Sequence, residues 1–301
     1  MTTTRDRPHV VIVGGGFGGL AAARALRRAP VQVTLIDRRN HHLFQPLLYQ
    51  VATAALNPSD IAYPIRGVLR KQRNARVLLG DVQRIDTAAR RVVLEAGSLP
   101  YDHLILATGA THSYFGKDQW SQLAPGLKTV EDALEIRRRV FLAYEAAERE
   151  PDPRKQRQWL TFVVVGGGAT GVELAGALAE IGLHTLAHDF RSIDPTTVRV
   201  LLLEGRDRVL GGFSEKLSAA ARRGLEQRKV EVRTGALVTE IDGAGVTVTT
   251  AAGSERIDAH TVLWAAGVRA SPLGKAGGLE VDRQGRVLVE PDLSVKGHAK
   301  V

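Results

Sequence analysis

His9-Val10-Val11-Ile12-Val13, then Gly14-Gly15-Gly16-Phe17-Gly18-Gly19, then Leu20-Ala21-Ala22-Ala23-Arg24-Ala25-Leu26 reads as strand, glycine turn and helix. A short β-branched run suits a buried strand, and an alanine- and leucine-rich run suits a helix. Val31-Gln32-Val33-Thr34-Leu35-Ile36 follows as a second strand and closes on Asp37. The pattern recurs further along. Thr161-Phe162-Val163-Val164-Val165 enters Gly166-Gly167-Gly168-Ala169-Thr170-Gly171, the run Val172 to Glu180 is a helix former, and Val198 to Leu203 closes on Glu204.

The repetition extends past the glycines. Arg76 to Val82 and Arg91 to Glu95 read as strands of a small antiparallel sheet, leading into Tyr101 to Leu106 and Ala107-Thr108-Gly109. Val230 to Arg233, Val246 to Thr249 and Thr261 to Gly267 repeat this in the second copy. From Gly14 to Gly109 is 95 residues and from Gly166 to Gly267 is 101, too long for solenoid repeats and right for duplicated domains. The fold class expected is therefore α/β, with two tandem Rossmann-like dinucleotide-binding domains, each carrying a small antiparallel β insertion. Between the copies, apolar residues three or four apart from Thr129 to Arg149 predict an amphipathic helix. The polar, proline-containing Glu150 to Gln156 is the expected boundary. In the second copy, Leu183 to Thr197 reads as an inserted helix ending near Asp194-Pro195.

A dinucleotide pyrophosphate needs a helix N-terminus with N–H groups facing it and a backbone that approaches without Cβ atoms. In the first copy Gly14 makes the turn, Gly16 admits the phosphate and Gly19 lets helix lie on strand; Gly166, Gly168 and Gly171 do so in the second. Asp37 and Glu204, each ending a second strand, are placed to hold adenosine ribose hydroxyls. Glu204 would repel a 2′-phosphate, which favours NADH over NADPH, with Arg206 and Arg208 nearby as the opposing signal. Two such sites in one chain are most economically FAD and NADH sites of one flavoprotein.

Composition narrows the chemistry. The 301 residues contain no cysteine, which excludes a disulfide scaffold, cysteine-ligated metal and thiol catalysis within them. Lys and Arg exceed Asp and Glu for a net charge of +9, yet the excess is scattered along the sequence. Aromatic residues are only 5%, so no basic tract interleaved with aromatics marks a nucleic-acid binder. The alternatives are solvated faces or a surface for anionic lipid. Met1 to Pro8 lacks the apolar core of a secretory signal, which favours the cytoplasm. The longest uncharged stretches, Pro8 to Ala23 and Gln158 to Val172, are shorter than the ~20 residues that span a bilayer and are interrupted by glycines, so no transmembrane helix is expected. His41-His42 is an adjacent pair without a third ligand at metal spacing, so a packing or hydrogen-bonding role is expected and no metal site.

Asn40-His41-His42-Leu43-Phe44-Gln45-Pro46-Leu47-Leu48-Tyr49-Gln50-Val51-Ala52-Thr53, with Val165 to Gly176, resembles type II NADH:quinone oxidoreductase, the single-subunit, non-proton-pumping respiratory NADH dehydrogenase. The resemblance runs from about His9 to Val301. It implies an FAD domain at 1–156, an NADH domain at 157–268 and the start of a return into the FAD domain at 269–301. It implies that Gly14, Gly16 and Gly19 face the FAD pyrophosphate, Asp37 the ribose and Val82 the adenine, with Phe17 and Arg38 also among the cofactor-binding residues. Ala107, Thr108 and Gly109 would pass near the flavin, and Gln45, Pro46, Tyr49 and Gln50 would lie on the quinone side, Gln45 also near the cofactor. Gly166, Gly168 and Gly171 would hold the NADH pyrophosphate, Glu204 its ribose, and Ala266 and Gly267 the nicotinamide side, with Thr170 also among the cofactor-binding residues.

Glu173 has two readings. A carboxylate on the first turn of a helix is favoured by the helix dipole, a structural explanation. Beside a pyrophosphate it would be repelled, and in the family the matching glutamate sits where nicotinamide meets flavin, which makes Glu173 the catalytic candidate. The mechanism implied passes hydride from NADH to FAD and two electrons to a membrane quinone. Without cysteine, thiol-dependent relatives such as lipoamide dehydrogenase, glutathione reductase and sulfide:quinone reductase drop out. Thiol-free ferredoxin-type and apoptosis-inducing-factor-like reductases remain as alternatives. The resemblance also implies a strand ending in Gly-Asp, a quinone-site helix and an amphipathic membrane-binding end beyond the matched residues. A truncated, inactive NADH-binding protein is therefore a further alternative. A peripheral place on the inner face of the cell membrane follows from the resemblance, as does the option of a homodimer.

Overall fold

The computed structural model describes residues 7–301; Met1 to Asp6, most of the amino-terminal stretch read as free of a secretory signal, lie outside them. The chain divides into two compact units. One comprises residues up to Leu43, Ala62–Thr111 and Val268–Val301, the other Phe44–Ile61 and His112–Gly267.

In the first unit β1 (His9–Val13) leads through the glycine turn into α1 (Phe17–Ala25), then β2 (Gln32–Asp37) and β3 (His41–Leu43). Next come α2 (Leu48–Ala52) and α3 (Pro58–Ile61), which belong to the second unit, before β4 (Ala62–Pro64) pairs with β3 in the first. α4 (Ile65–Leu69), β5 (Ala75–Leu79), an antiparallel trio β6 (Val82–Asp86), β7 (Arg91–Leu94) and β8 (Gly97–Pro100), and β9 (His103–Leu106) complete the run. The main sheet is parallel in the order β5-β2-β1-β9. β1 and β2 are buried on both faces, which is why they read as unbroken apolar runs.

β10 (Ala110–His112) carries the chain out of this unit. In the second unit α5 (Val130–Arg149) and α6 (Pro153–Trp159) precede β11 (Thr161–Val165), the second glycine turn and α7 (Ala169–Glu180). β12 (Arg199–Glu204), α8 (Glu215–Gln227), β13 (Val230–Thr234), the antiparallel trio β14 (Leu237–Asp242), β15 (Gly245–Thr250) and β16 (Gly253–Asp258), and β17 (Thr261–Trp264) follow. The parallel sheet has the order β13-β12-β11-β17, the order of the first unit repeated. β18 (Val268–Ala270) and α9 (Leu273–Ala276) return to the first unit, where the N–H of Leu104 on β9 donates to the Lys300 carbonyl at 2.8 Å.

Several sequence expectations need correction. The division at 156/157 is not where the units part: α5 packs on α2, α6 and β17, so the helix read as the end of the first domain belongs to the second. Its buried Ala133, Ile136, Val140 and Tyr144 form the apolar stripe that fixes it there. Glu150 to Gln156 is a short turn whose end is already helical, with Asp152 capping α6 by accepting from the Arg154 N–H. Arg76 to Val82 is two strands, because the chain turns at Gly80-Asp81: β5 joins the parallel sheet and only β6 enters the antiparallel one. β13 likewise lies in the parallel sheet. The insertion after α7 is no separate helix; α7 runs on into a π turn at Ile181–Thr185, and only Pro195–Thr197 is again helical.

Candidate nucleotide sites

The two glycine turns share the same positive-φ backbone and the same close approach of helix to turn. Gly14 and Gly166 have φ of +106° and +108°, a backbone that L side chains rarely adopt. A Cβ on Gly19 would stand 1.8 Å from the Gly14 carbonyl oxygen, and one on Gly171 would stand 1.8 Å from that of Gly166. Helix and turn thus touch only because both residues lack side chains. At Gly16 and Gly168, by contrast, a Cβ would meet nothing within 4 Å, so the protein leaves open space at each helix start.

Among the described residues no side chain caps α1 or α7, and neither helix has an acidic residue in its first turn. Elsewhere the chain does cap: Thr129 and Asp132 form a reciprocal capping box on α5, with Asp132 also accepting from the Lys128 N–H and paired with His112 at 3.1 Å. Uncapped N-termini opening on empty space are anion sites by construction, since the first-turn N–H groups and the dipole both face a negative charge. The residues fit a dinucleotide pyrophosphate in both units.

The carboxylates complete the likeness. Asp37 accepts from the Gly15 N–H at 2.6 Å and from the Arg39 N–H at 2.7 Å. Glu204 accepts from the Gly167 N–H at 2.6 Å and from the Arg206 N–H at 2.8 Å. Each carboxylate is thereby fixed with lone pairs left for the hydroxyls of a ribose. The fixing glycines, Gly15 and Gly167, were missed in the sequence, where the motif gives its second position no role. The signal was there, because both copies have three consecutive glycines. A Cβ on Gly167 would press on the Glu204 Cβ and Oε2 at 3.0 Å.

In the first unit a small cavity of about 50 Å³ is lined by Gly14, Asp37, Arg38, Val82 and Thr108. Ala107 donates its N–H to the Val13 carbonyl at 2.8 Å, bringing Ala107-Thr108-Gly109 beside the turn. Arg38 stands 3.9 Å from Asp81, and the ring of Phe17 meets that of His42 edge-on at 5.0 Å. His42 also lies 3.2 Å from the Gly15 carbonyl, so this histidine supports the turn.

In the second unit a larger cavity of about 220 Å³ is lined by Gly166, Glu204, Ala266, Leu237, Phe115 and Trp264. Thr170 lies on the first turn of α7. Arg208 is drawn away to Glu215 at 3.5 Å and to the Gly211 carbonyl, which weakens its claim as a 2′-phosphate ligand. Glu173 falls on the second turn of α7, later than the sequence reading placed it, so the dipole explains it less well. Its side chain is exposed, yet partial desolvation pushes its carboxyl pKa above the ordinary value.

Gln45, Pro46, Tyr49 and Gln50 lie in this second unit. α2 packs on α5 and α7 through buried Leu48, Val51 and Ala52. The Gln45 side-chain amide donates to the Lys128 carbonyl at 3.1 Å, and that of Gln50 to the Tyr49 hydroxyl at 3.1 Å. Among the described residues no group of three or more His, Cys, Asp or Glu gathers as metal ligands.

Residues 8–301 match the family model described as pyridine nucleotide-disulphide oxidoreductase. The chain belongs to that family. Among family members it is 51% identical over 305 residues to the type II NADH:quinone oxidoreductase NdhA of Mycobacterium tuberculosis, covering 98% of this chain and 65% of that protein. It is 50% identical over 304 residues to the type II NADH:quinone oxidoreductase Ndh of the same organism, covering 98% and 66%. The chain thus spans about two-thirds of the length of these relatives. The solved structure of NDH2 from Plasmodium falciparum in complex with NADH superposes with a TM-score of 0.84 at 21% identity, over 94% of this chain and 60% of that one, and shows the shared fold. The fold of this family is the α/β arrangement of paired Rossmann-like units that the duplicated glycine turns announced.

Proposed function

We propose that this chain carries the two nucleotide sites of an NADH:quinone oxidoreductase, with FAD in the first unit, NADH in the second, and a membrane quinone as acceptor. The observation that carries the reading is the duplicated cradle: an uncapped helix start, open space at Gly16 or Gly168, and a carboxylate pinned by the middle glycine. The half-identity to type II enzymes supports the acceptor. FAD, when bound, would take hydride from NADH and pass two electrons to the quinone, entering respiration without proton pumping.

The protein's own part is to bind and orient. Gly14, Gly16 and Gly19 with Asp37 would hold FAD, assisted by Phe17, Arg38, Val82 and Ala107 to Gly109. Gly166, Gly168, Thr170, Gly171 and Glu204, with Ala266 and Gly267, would hold NADH. Glu173, its proton affinity raised, is suited to hold and release a proton. Gln45, Pro46, Tyr49 and Gln50 would border the acceptor. A quinone dissolved in lipid calls for a protein that works peripherally at the inner membrane face; no helix among the described residues is long and apolar enough to cross a membrane.

The purified chain should be yellow with flavin absorbance, and NADH added without oxygen should bleach it, with colour restored by a short-chain quinone. A colourless protein that still binds NADH would replace this reading with a nucleotide-binding module. One that binds neither would end both.

A further inference from the structure

Resting on the reading that the second unit holds NADH, we propose that Phe115 and Leu237 grip the adenine ring of the dinucleotide. They are among the most exposed large apolar side chains of the described residues, at 72% and 60%, and both line the cavity that contains Glu204. Apolar side chains left this bare at a cavity wall are explained by a ligand that covers them. The cavity's 220 Å³ is below the roughly 300–1,000 Å³ of whole-ligand pockets, so it is sized for part of a dinucleotide. Glu204 at the end of β12 identifies that part as the adenosine end.

The backbone bears this out. Phe115 has φ of +52° and Gly116 of +88°, and a bulky residue held left-handed costs of order 1–3 kcal/mol unless its surroundings impose it. They do so from both sides. Trp264 donates its indole N–H to the Ser113 carbonyl at 2.9 Å, Tyr114 donates its hydroxyl to the Ala124 carbonyl at 2.8 Å, and Lys117 donates to the Thr239 carbonyl at 2.6 Å. The Phe115 ring is backed by the edge of Trp264 at 6.2 Å and by Gly267, where a Cβ would come within 2.7 Å of the ring. A rigid, strained and exposed ring beside a ribose carboxylate has the makings of a stacking platform for a base.

The duplication supplies the second wall. Leu237 opens the strand that follows the third parallel strand, the position Val82 holds in the first unit, where it too lines a cavity with the carboxylate. Phe115 has no counterpart there, since among the described residues no aromatic side chain lines that cavity. It comes from the segment ahead of α5, outside the repeat.

Titration calorimetry of the chain with ADP-ribose, which carries only the adenosine end, and with reduced nicotinamide mononucleotide, which lacks it, tests this. F115A and L237A should each weaken ADP-ribose and NADH binding about tenfold, as expected for a lost base-stacking contact, and leave the mononucleotide within about twofold. F115W should restore ADP-ribose binding. ADP-ribose affinity unchanged in both F115A and L237A overturns the proposal, and so does an equal loss for the mononucleotide, which would put the ring at the nicotinamide. E204A separates this from the underlying reading: ADP-ribose binding lost in E204A but kept in F115A and L237A sinks only the grip. Wild-type chain that binds no ADP-ribose sinks the NADH site itself.

Discussion

At the scale of single residues, the chemistry turns on three carboxylates in two environments. Asp37 and Glu204 are pinned by backbone N–H groups, whereas among the described residues no hydrogen bond holds the Glu173 carboxylate, whose ionised form is disfavoured by desolvation. The sign of its stability effect follows. Below the unfolded glutamate pKa of about 4.3 both states are protonated and Glu173 is neutral in either; as pH rises through its raised folded pKa, ionisation costs the folded state more. Glu173→Gln should therefore leave the melting temperature unchanged near pH 4 and unchanged or higher at pH 7. A fall at pH 7 in differential scanning calorimetry would show that the carboxylate is a structural partner. Quinone-dependent turnover of the flavin-loaded protein should drop more than NADH affinity does. Equal turnover at saturating quinone would remove Glu173 from the mechanism. Glu204 and Asp37 were legible because each is the carboxylate that ends the strand following its glycine turn and helix, even though the second copy is longer in between. Phe115 was not, because its role depends on hydrogen bonds to Ala124, Thr239 and Trp264, far along the chain.

At the scale of elements, the glycine turns make a paired test of packing against binding. Gly171→Ala would drive a Cβ into the Gly166 carbonyl and force helix and turn apart, at about 1–3 kcal/mol or more of stability. Gly168→Ala meets nothing in the protein and should leave stability alone while weakening NADH binding. Urea denaturation and equilibrium titration on the two variants check this. Loss of both properties in both variants would show that the two glycines are not separate in role. The strand–turn–helix units were readable because buried parallel strands need unbroken apolar runs and the phosphate turn needs glycine. The bend at Gly80-Asp81 was not, since apolar residues on either side say that a strand is present but not which sheet it joins. The π turn after α7 escaped for a related reason: Ile181 and Gly182 are buried, and Gly182 packs so closely on Val198, Pro195 and Tyr144, distant in sequence, that a Cβ there would come within 2.8 Å of each.

For the whole molecule, charge that is thin in the sequence is collected by folding. Gln72 donates its amide to the Ala23 carbonyl, and Asn74 donates to the Leu26, Ala29 and Val31 carbonyls. These bonds bring exposed Arg27 and Arg28 beside exposed Arg70, Lys71 and Arg73 in the first unit. Such residues at helix C-termini also complement the helix dipoles. With the net charge of +9, this predicts co-sedimentation with phosphatidylglycerol vesicles at about 0.05 M salt that is lost near 0.5 M, as screening requires. Binding that persists at high salt would point instead to apolar insertion. Replacing Arg70, Lys71 and Arg73 together by glutamine should abolish most of the low-salt binding.

The chain passes between its two units four times, at 43/44, 61/62, 111/112 and 267/268. This orders events during synthesis. The opening strands of the first unit leave the ribosome first, yet that unit waits for residues 268–301, while the second is complete once Gly267 has emerged. The second unit can therefore finish folding while the first still stands open. No single cut yields either half whole: a fragment from His112 to Gly267 leaves behind α2, whose Leu48 and Val51 fill the space between α5 and α7.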